Sequence, residues 1–399
     1  MAASLFHHRS PHGAARHRTR RLLSVVLATG IFVTGCAQFP DGRPRDWHAQ
    51  PSLEPQAGPQ PHIEGQDSPP PPPRSQAPGE PPPPPQGCKD PDPAVVATCL
   101  EPVGALVALP QGTGALVGER TTGRILRVQE GQQPVEIARI PVDPAGGGGL
   151  TGLALSPSYA EDQLIYAYLS TSTDNRVVRV APEDPPEPIL TGIPRGPRGN
   201  SGAITADDRG ALLVATGNAG SSEEAADATS LAGKVLRINA FGEPAAGNPD
   251  PGSPIVSSGL TDPGGLCVAG GGAAHWVTDR GSDPQTLHRV QLGEPLGTPA
   301  WTWRNRPGAS DCVATPGLVV VTLTDASALY TMHPAPQGGF TGEPQKVMVD
   351  TYGRFSAAAL GSKGLLWLGT ANRDGGEAVS SDDRVIRIKP PAGSAAGKD

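Results

Sequence analysis

The chain has few aromatic side chains, few cysteines and few positive charges for its length. Aromatic residues make up 4% of the 399 residues, and there are 5 cysteines and 3 methionines. Lys and Arg number 32 against 39 Asp and Glu, so the formal net charge is −7. This balance argues against a nucleic-acid partner, because such proteins carry an excess of basic residues. Beyond the N-terminus, no apolar run approaches the ~20 residues that a membrane-spanning helix needs.

Residues 1–35 have the pattern of a lipoprotein signal peptide. Five arginines and no acidic residue precede an apolar stretch from Leu22 to Val33, which is too short to span a bilayer comfortably. The stretch ends in VTGC at 33–36, so Cys36 is predicted to be the acylated first residue of the mature protein. The alternative is an ordinary secretory signal with a cysteine at this place by chance. Thr19 to Leu23 also resembles a twin-arginine signal, and the choice between the Sec and twin-arginine routes stays open.

Residues 36–87 are predicted to form a disordered, proline-rich linker. The segment is rich in Pro, Gln, Gly and Ser, includes proline runs at 69–73 and 81–85, and has too few apolar residues to form a core. Removal of residues 1–35 takes away five arginines and no acid, which leaves the mature chain with a net charge of −12. We therefore expect an exported, acidic protein that is lipid-anchored to the outer face of the cell membrane and acts as a monomer.

Residues 88–399 contain a sixfold repeat. A short run of the pattern apolar, apolar, basic or polar, apolar recurs at intervals of 42 to 58 residues and ends at 128, 180, 238, 290, 332 and 388. We expect each run to close its repeat, which places His288 in an outermost strand. Short strand-like segments and Gly or Pro turns lie between the runs, with almost no helical periodicity. A period of this size is typical of the blades of a β-propeller. The sequence therefore predicts an all-β, six-bladed β-propeller, whose loops converge at the mouth of an axial channel.

Four cysteines besides Cys36 lie in or beside the predicted propeller. An even number in an exported chain favours disulfides, and four cysteines allow three connectivities. We favour Cys88 with Cys99, which attaches the linker to the propeller, and Cys267 with Cys312, which joins blade four to blade five. A zinc site is the alternative, but the spacing includes no Cys-x-x-Cys pair and no histidine lies nearby in the sequence.

Three segments resemble those of one known family. They are GGLTGLALSPSYAEDQLIYAYLS at 148–170, TGNAGSSEEAADATSLAGKVLRIN at 216–239 and NRDGGEAVSSDDRVIRI at 372–388. They are similar to the glucose/sorbosone dehydrogenases, soluble aldose dehydrogenases that use pyrroloquinoline quinone (PQQ) and calcium on a six-bladed propeller. The similarity runs from about 148 to 388. The order of lipobox, proline-rich linker and two cysteine pairs also resembles the actinobacterial lipoproteins of the LppZ type.

The resemblance implies a catalytic histidine, which this chain lacks. The family's His-Asn-Gly-Gly run aligns with Gly199, Asn200, Ser201 and Gly202, so glycine stands where the family has its general base. Asp279 is the candidate for a substitute base.

The resemblance also implies arginines that hold the cofactor, and these are depleted. The family's Arg-Asn-Pro-Gln-Gly run aligns with 261–265, where Thr261 replaces arginine and Asp262 adds a negative charge. A pair of family arginines aligns with Arg354 and Ser356. The remaining candidates for cofactor contacts are Arg354, Arg373 and Asn200, and backbone groups of Gly281 and Ser282 are candidates for calcium.

Two functional hypotheses follow. In the first, the propeller is catalytically degenerate, needs no cofactor, and binds a carbohydrate or another cell-envelope ligand at its mouth. In the second, it is an active aldose dehydrogenase that uses calcium, PQQ and a different base. Fold alone does not decide between them.

Overall fold

The computed structural model of the chain describes residues 84–270, 274–335 and 339–391. These residues form six four-stranded antiparallel sheets arranged as the blades of a propeller, which confirms the predicted fold. The predicted signal peptide and Cys36, and nearly all of the predicted linker, lie outside the described residues. No helix in the described part of the chain is both long and apolar enough to span a membrane.

The first five blades each consist of four consecutive strands. Blade one contains β2 (Val103–Ala108), β3 (Gly114–Glu119), β4 (Arg124–Gln129) and β5 (Val135–Arg139). Blade two contains β6 (Leu150–Leu155), β7 (Ile165–Ser170), β8 (Asn175–Val180) and β9 (Glu187–Ile193). Blade three contains β10 (Gly202–Ala206), β11 (Leu212–Thr216), β12 (Lys234–Ile238) and β13 (Ile255–Ser258). Blade four contains β14 (Pro263–Ala269), β15 (Ala274–Asp279), β16 (Gln285–Val290) and β17 (Trp301–Trp303). Blade five contains β18 (Ala309–Thr315), β19 (Leu318–Leu323), β20 (Ala328–Pro334) and β21 (Phe340–Val347).

Blade six takes its outermost strand from the other end of the fold. Its order is β1 (Val95–Ala97), β24 (Val385–Ile388), β23 (Leu366–Thr370) and β22 (Phe355–Leu360). Two short helices, α1 (Tyr159–Asp162) and α2 (Ser222–Ala226), and a 3-10 turn at Ala145–Gly147 lie in loops.

Hydrophobic packing between neighbouring blades closes the ring. The middle strands are apolar on both faces; for example, β11 packs Val214 into the cluster shared with blade two, and Leu213 and Ala215 into the cluster shared with blade four. The buried apolar residues of the described chain fall into six clusters, and each cluster draws its members from two adjacent blades. Both faces of each blade are therefore buried, as stacked repeats require.

The six repeated runs occupy the third strand of each blade. They lie in β4, β8, β12, β16, β20 and β24, and a further strand pairs with the outer edge of each. The expectation that the runs close their repeats, with His288 in an outermost strand, was therefore wrong. The fourth strands are more exposed, as in β5, and carry a weaker apolar pattern than the third strands.

The start of the described chain is joined to blade six by covalent and ionic contacts. Cys88 and Cys99 form a disulfide on either side of β1. The Arg384 guanidinium, which is 8% exposed, donates to Asp382 at 2.7 Å and to Asp90 at 3.1 Å. The predicted Cys88–Cys99 pairing is confirmed, and Asp382 to Arg384 serve to close the ring.

The second predicted disulfide is also confirmed. Cys267 of β14 and Cys312 of β18 are bonded across a separation of 45 residues. These are the innermost strands of blades four and five, so the bridge links two neighbouring blades at the channel wall.

Candidate functional site

The predicted site residues lie in loops at one face of the propeller, which we call the mouth face. Every inner strand begins at this face, and every second strand ends there. Gly199 and Asn200 precede β10, and Arg354 precedes β22. Residues 279–282 and Arg373 follow the second strands of blades four and six. The topology therefore brings together residues that are far apart in the sequence.

Gly199 has neither a side chain nor space for one. Its φ angle is +66°, a conformation that L-residues with a Cβ rarely adopt. A Cβ atom there would lie 2.8 Å from Asn218 Oδ1 and 3.2 Å from the Thr261 carbonyl oxygen. The backbone conformation and the close neighbours at position 199, which aligns with the family's base, therefore favour glycine.

No histidine lies in the described loops of the mouth face. The three described histidines lie in strands: His275 begins β15 at the opposite face, His288 lies in β16, and His333 lies near the far end of β20. A general base in the described mouth loops would have to be a group other than imidazole, such as a carboxylate.

Asn200 is fully buried and its amide group is engaged in local structure. Its Nδ2 donates to the Gly196 carbonyl at 2.7 Å and to the Gly146 carbonyl at 3.2 Å, and its Oδ1 accepts from Gly196 N at 2.9 Å. These bonds hold the loop before β10 against the glycine-rich loop before β6. The amide has few free hydrogen-bonding positions for a ligand.

Asp279 is 2% exposed and organises the backbone of the neighbouring loop. Its carboxylate accepts from Thr261 N at 2.7 Å, Asp262 N at 2.9 Å and Gly281 N at 3.1 Å. Hydrogen bonds of this kind occupy the oxygens that a base would use. Its proposed role as a substitute base stays a prediction, and this geometry gives it no support.

Asp262 lies between blades three and four at the mouth. One oxygen accepts from Ser201 Oγ at 2.5 Å, and the other lies 3.3 Å from Arg280 Nε. The loop that contains Gly281 packs tightly against Asp262. A Cβ atom on Gly281 would lie 2.9 Å from Asp262 N. Asp262 thus lies next to Thr261, which aligns with the arginine that the resemblance implies for cofactor binding.

Five arginines at the mouth are already paired with carboxylates. The pairs are Arg120–Asp374 at 2.6 Å, Arg195–Asp143 at 2.5 Å, Arg280–Asp262 at 3.3 Å, Arg354–Asp325 at 3.0 Å and Arg373–Glu101 at 3.9 Å. Arg198 is exposed and forms no ion pair with another described residue. The mouth is therefore rich in polar groups but close to neutral overall.

Hydroxyl groups at the mouth join successive inner strands. Thr151 donates to the Gly202 carbonyl at 2.8 Å, Ser201 to Pro263 at 2.7 Å, Ser310 to Ser356 at 3.0 Å and Ser356 to Val103 at 2.7 Å. Ser356, where the family has an arginine, thus connects blade six to blade one.

An axial channel of about 370 Å³ runs along the inner strands, and its lining extends to their ends at the face opposite the mouth, at Ala108, Ala314 and Leu360. All six inner strands contribute to its wall, whose side chains are mainly apolar. Asp311 lies in this wall, where desolvation raises the pKa of its carboxyl group to about 7.

A second cavity, of about 410 Å³, opens at the mouth face between blades five and six. Asp325, Tyr352, Arg354 and Glu377 are among the residues that line it. The Arg354 Nε is buried and has no hydrogen-bond partner among the described residues. This cavity therefore combines hydrogen-bond donors and acceptors with an aromatic ring.

The family model described as Glucose / Sorbosone dehydrogenase matches residues 100–387. The chain belongs to the glucose/sorbosone dehydrogenase family. Among solved structures, it is similar to the PQQ-bound aldose sugar dehydrogenase of Streptomyces coelicolor, with 31% identity and a TM-score of 0.68 over 77% of this chain and 99% of that one.

It is also similar to a putative oxidoreductase (glucose dehydrogenase) of Thermus thermophilus, with 29% identity, a TM-score of 0.67, and coverage of 74% of this chain and 98% of that one. The soluble aldose sugar dehydrogenase of Escherichia coli, at 19% identity and a TM-score of 0.64 over 74% of this chain and 99% of that one, shares the fold. No curated protein sequence matches the chain.

The mouth of this glucose/sorbosone dehydrogenase-family protein is a poor match for the PQQ and calcium that the family implies. A tricarboxylate needs free cationic groups, but five of the six mouth arginines named above are ion-paired, which leaves Arg198, and Asp262 adds an acid. The described residues include no group of three or more His, Cys, Asp or Glu side chains that suits a metal ion.

In the loop 279–282, for which the resemblance implies calcium binding, two backbone carbonyls already accept hydrogen bonds from side chains. The Asp279 carbonyl accepts from Ser282 Oγ at 3.0 Å, and the Arg280 carbonyl accepts from Gln285 Nε2 at 3.3 Å. Gly281 and Ser282 remain predicted calcium contacts without support from these bonds.

A buried carboxyl at the mouth face gives the protein a predicted pH dependence. Asp383 is fully buried, and desolvation raises the pKa of its carboxyl group to about 6. The same carboxyl group has a pKa of ~3.9 in the unfolded chain. At pH values between these two pKa values, the folded state therefore binds more protons than the unfolded state. We therefore expect the Asp383 contribution to stability to be complete below pH ~4 and to be lost as the pH rises through 6.

Thermal unfolding from pH ~4 to pH ~8 will measure this effect. The Asp383→Asn variant should show a smaller fall in melting temperature across that range than the wild type. Asp207, whose pKa is lowered, provides a control, because its contribution changes only at lower pH. Equal pH dependence in wild type and Asp383→Asn would contradict the assignment.

Proposed function

We propose that the protein is an exported, lipid-anchored propeller that binds a neutral, polyhydroxylated ligand at its mouth and does not oxidise aldoses with PQQ. The observation that carries the second half of this proposal is Gly199, which lacks both a basic group and space for one. The paired arginines support the binding of a neutral, polyhydroxylated ligand. Ion pairs offer hydrogen-bond donors and acceptors to hydroxyl groups but carry no net charge that would attract an ion.

The cavity between blades five and six supports a carbohydrate as the ligand class. Its Arg354–Asp325 pair and its carboxylates offer hydrogen bonds to sugar hydroxyls. Since the mature chain is acidic, nucleic acids and polyanionic glycans are disfavoured. We propose a neutral cell-envelope glycan and a monomeric binding protein.

PQQ titration and a dye-linked oxidation assay test the proposal. In calcium-containing buffer, calorimetry with PQQ should give no saturable binding, and oxidation of a panel of aldoses should stay at background. Loss of a general base alone costs ~10²- to 10⁴-fold in rate. The Streptomyces coelicolor aldose sugar dehydrogenase, treated identically, serves as the positive control. The same samples are then titrated with neutral oligosaccharides.

Gly199→His is the informative variant. We expect no gain of activity, since φ is +66° and a Cβ atom would lie 2.8 Å from Asn218 Oδ1 and 3.2 Å from the Thr261 carbonyl oxygen, so a side chain is strained there. Stoichiometric PQQ binding with turnover by the wild type would establish the alternative, an active aldose dehydrogenase. Asp279 would then be the first residue to replace in the search for its base.

The proposed lipid anchor is tested through Cys36. Replacing it with alanine should release the protein from membranes into the aqueous phase of a detergent partition, because two acyl chains give stable attachment. The Cys88→Ala variant is the control and should stay in the membrane fraction. Recovery of the wild-type protein wholly in the aqueous phase would refute the anchor.

A further inference from the structure

The inner wall of the propeller carries a single charge. The inner strands β2, β6, β10, β14, β18 and β22 have the sequences VGALVA, LTGLAL, GAITA, PGGLCVA, ASDCVAT and FSAAAL. Asp311 is the one ionisable residue among them. It is also the one charged residue among the described residues that line the channel.

The Asp311 carboxylate is held in a defined position. One oxygen accepts from Cys312 N at 2.8 Å, and the other accepts from Ala358 N of blade six at 2.8 Å. Gly265 of blade four packs directly against Asp311. A Cβ atom on Gly265 would lie 2.6 Å from Asp311 Cα, so a larger residue would not fit there. A register shift in β18 between Ala309 and Cys312 accompanies this placement.

No positive charge compensates the Asp311 carboxylate. Among the described residues, the groups that influence its ionisation are backbone N–H donors, and no Arg, Lys or His contributes. The packed strands β14, β19 and β22 contain no ionisable side chain. Ionising a carboxyl group in such a place is costly unless a cation accompanies it.

The channel has room for such a cation and its water. Its volume of about 370 Å³ greatly exceeds the ~30 Å³ that one water molecule occupies in the liquid. Each Asp311 oxygen accepts one backbone hydrogen bond and keeps lone-pair capacity for a further partner. A single carboxylate is neutralised by one unit of charge, whereas a divalent ion would leave a net positive charge in an apolar channel.

We infer that Asp311 forms a binding site in the axial channel for a partly hydrated monovalent cation, such as sodium or potassium. The site is separate from the proposed ligand site at the mouth and does not depend on it. The cation neutralises the one charge of the channel wall and bonds to a carboxylate that also joins blade five to blade six.

Thermal unfolding of the full-length protein in detergent tests this inference. Melting temperatures are compared at pH ~8 in potassium chloride, sodium chloride and choline chloride at equal concentration, since choline is too bulky to reach a small inorganic site. We expect a rise of about 2 °C or more in potassium or sodium relative to choline, because a ligand that binds only the folded state stabilises it.

Asp311→Asn should abolish the difference between the salts, whereas Glu187→Gln, which removes an exposed carboxylate of the outer strand β9, should preserve it. At pH ~5, where the Asp311 carboxyl is protonated, the wild type should also lose the difference. The pH comparison keeps the test decisive if Asp311→Asn fails to fold.

Equal melting temperatures in the three salts under the alkaline condition would overturn the inference. An undiminished salt effect in Asp311→Asn, or a rise that only magnesium or calcium produces, would overturn it as well.

Discussion

Replacing Arg384 with alanine is expected to lower the free energy of unfolding by about 3 to 5 kcal/mol. The Arg384 guanidinium is 8% exposed and pairs with Asp382 and Asp90, which are 0% and 4% exposed. Its removal leaves two buried carboxylates without a cationic partner, and an uncompensated buried charge is strongly destabilising. It also removes the hydrogen bond to the Tyr352 carbonyl. Chemical denaturation of the purified protein will measure the change.

The matched control is Arg139→Ala. Arg139 also pairs with a carboxylate, Glu136, at 2.9 Å, but their side chains are 56% and 38% exposed. Exposed pairs contribute roughly 0 to 1 kcal/mol, so this variant should unfold close to the wild type. If the two variants are destabilised equally, Arg384 does not have the ring-closing role assigned to it.

The second large effect is expected at the disulfide between blades four and five. Replacing Cys267 and Cys312 together with alanine should lower the free energy of unfolding by about 2 to 4 kcal/mol, because the bridge restricts the unfolded chain over a separation of 45 residues. The equivalent change at Cys88 and Cys99, separated by 11 residues, should cost less in this chain-entropy account. A larger loss at the shorter loop would show that its native contacts, rather than chain entropy, dominate.

The number of blades and both disulfides were predictable because they depend on local patterns. Each third strand repeats one short apolar motif, and its spacing is set by the length of a blade. The cysteines lie in segments that adjacent blades bring together. By contrast, β1 has three residues, too few for a strand pattern, so its pairing with β24 was not visible in the sequence.

The arrangement of the mouth was only partly predictable. Alignment placed Gly199 at the base position, but the φ angle and the neighbouring carbonyl that exclude a side chain emerge only from folding. The Arg120–Asp374 pair joins residues separated by 254 positions, which no local pattern indicates. Asp279 offered a carboxylate in the right loop, yet its use by three backbone N–H groups depends on how that loop closes. Asp311 did leave a signal, as a charge within an otherwise uncharged inner strand.

The disulfide beside β1 determines how tension on the preceding chain enters the propeller. A pull applied ahead of Cys88 passes through the sulfur bridge directly to Cys99, so β1 lies in a loop that carries no load. From Cys99 the force reaches the segment before β24, where Cys99 N bonds to the Ser381 carbonyl at 2.8 Å and Leu100 N to the Asp383 carbonyl at 3.0 Å. The outermost strand of blade six is therefore protected from being peeled away, and mechanical load is shared by blades six and one.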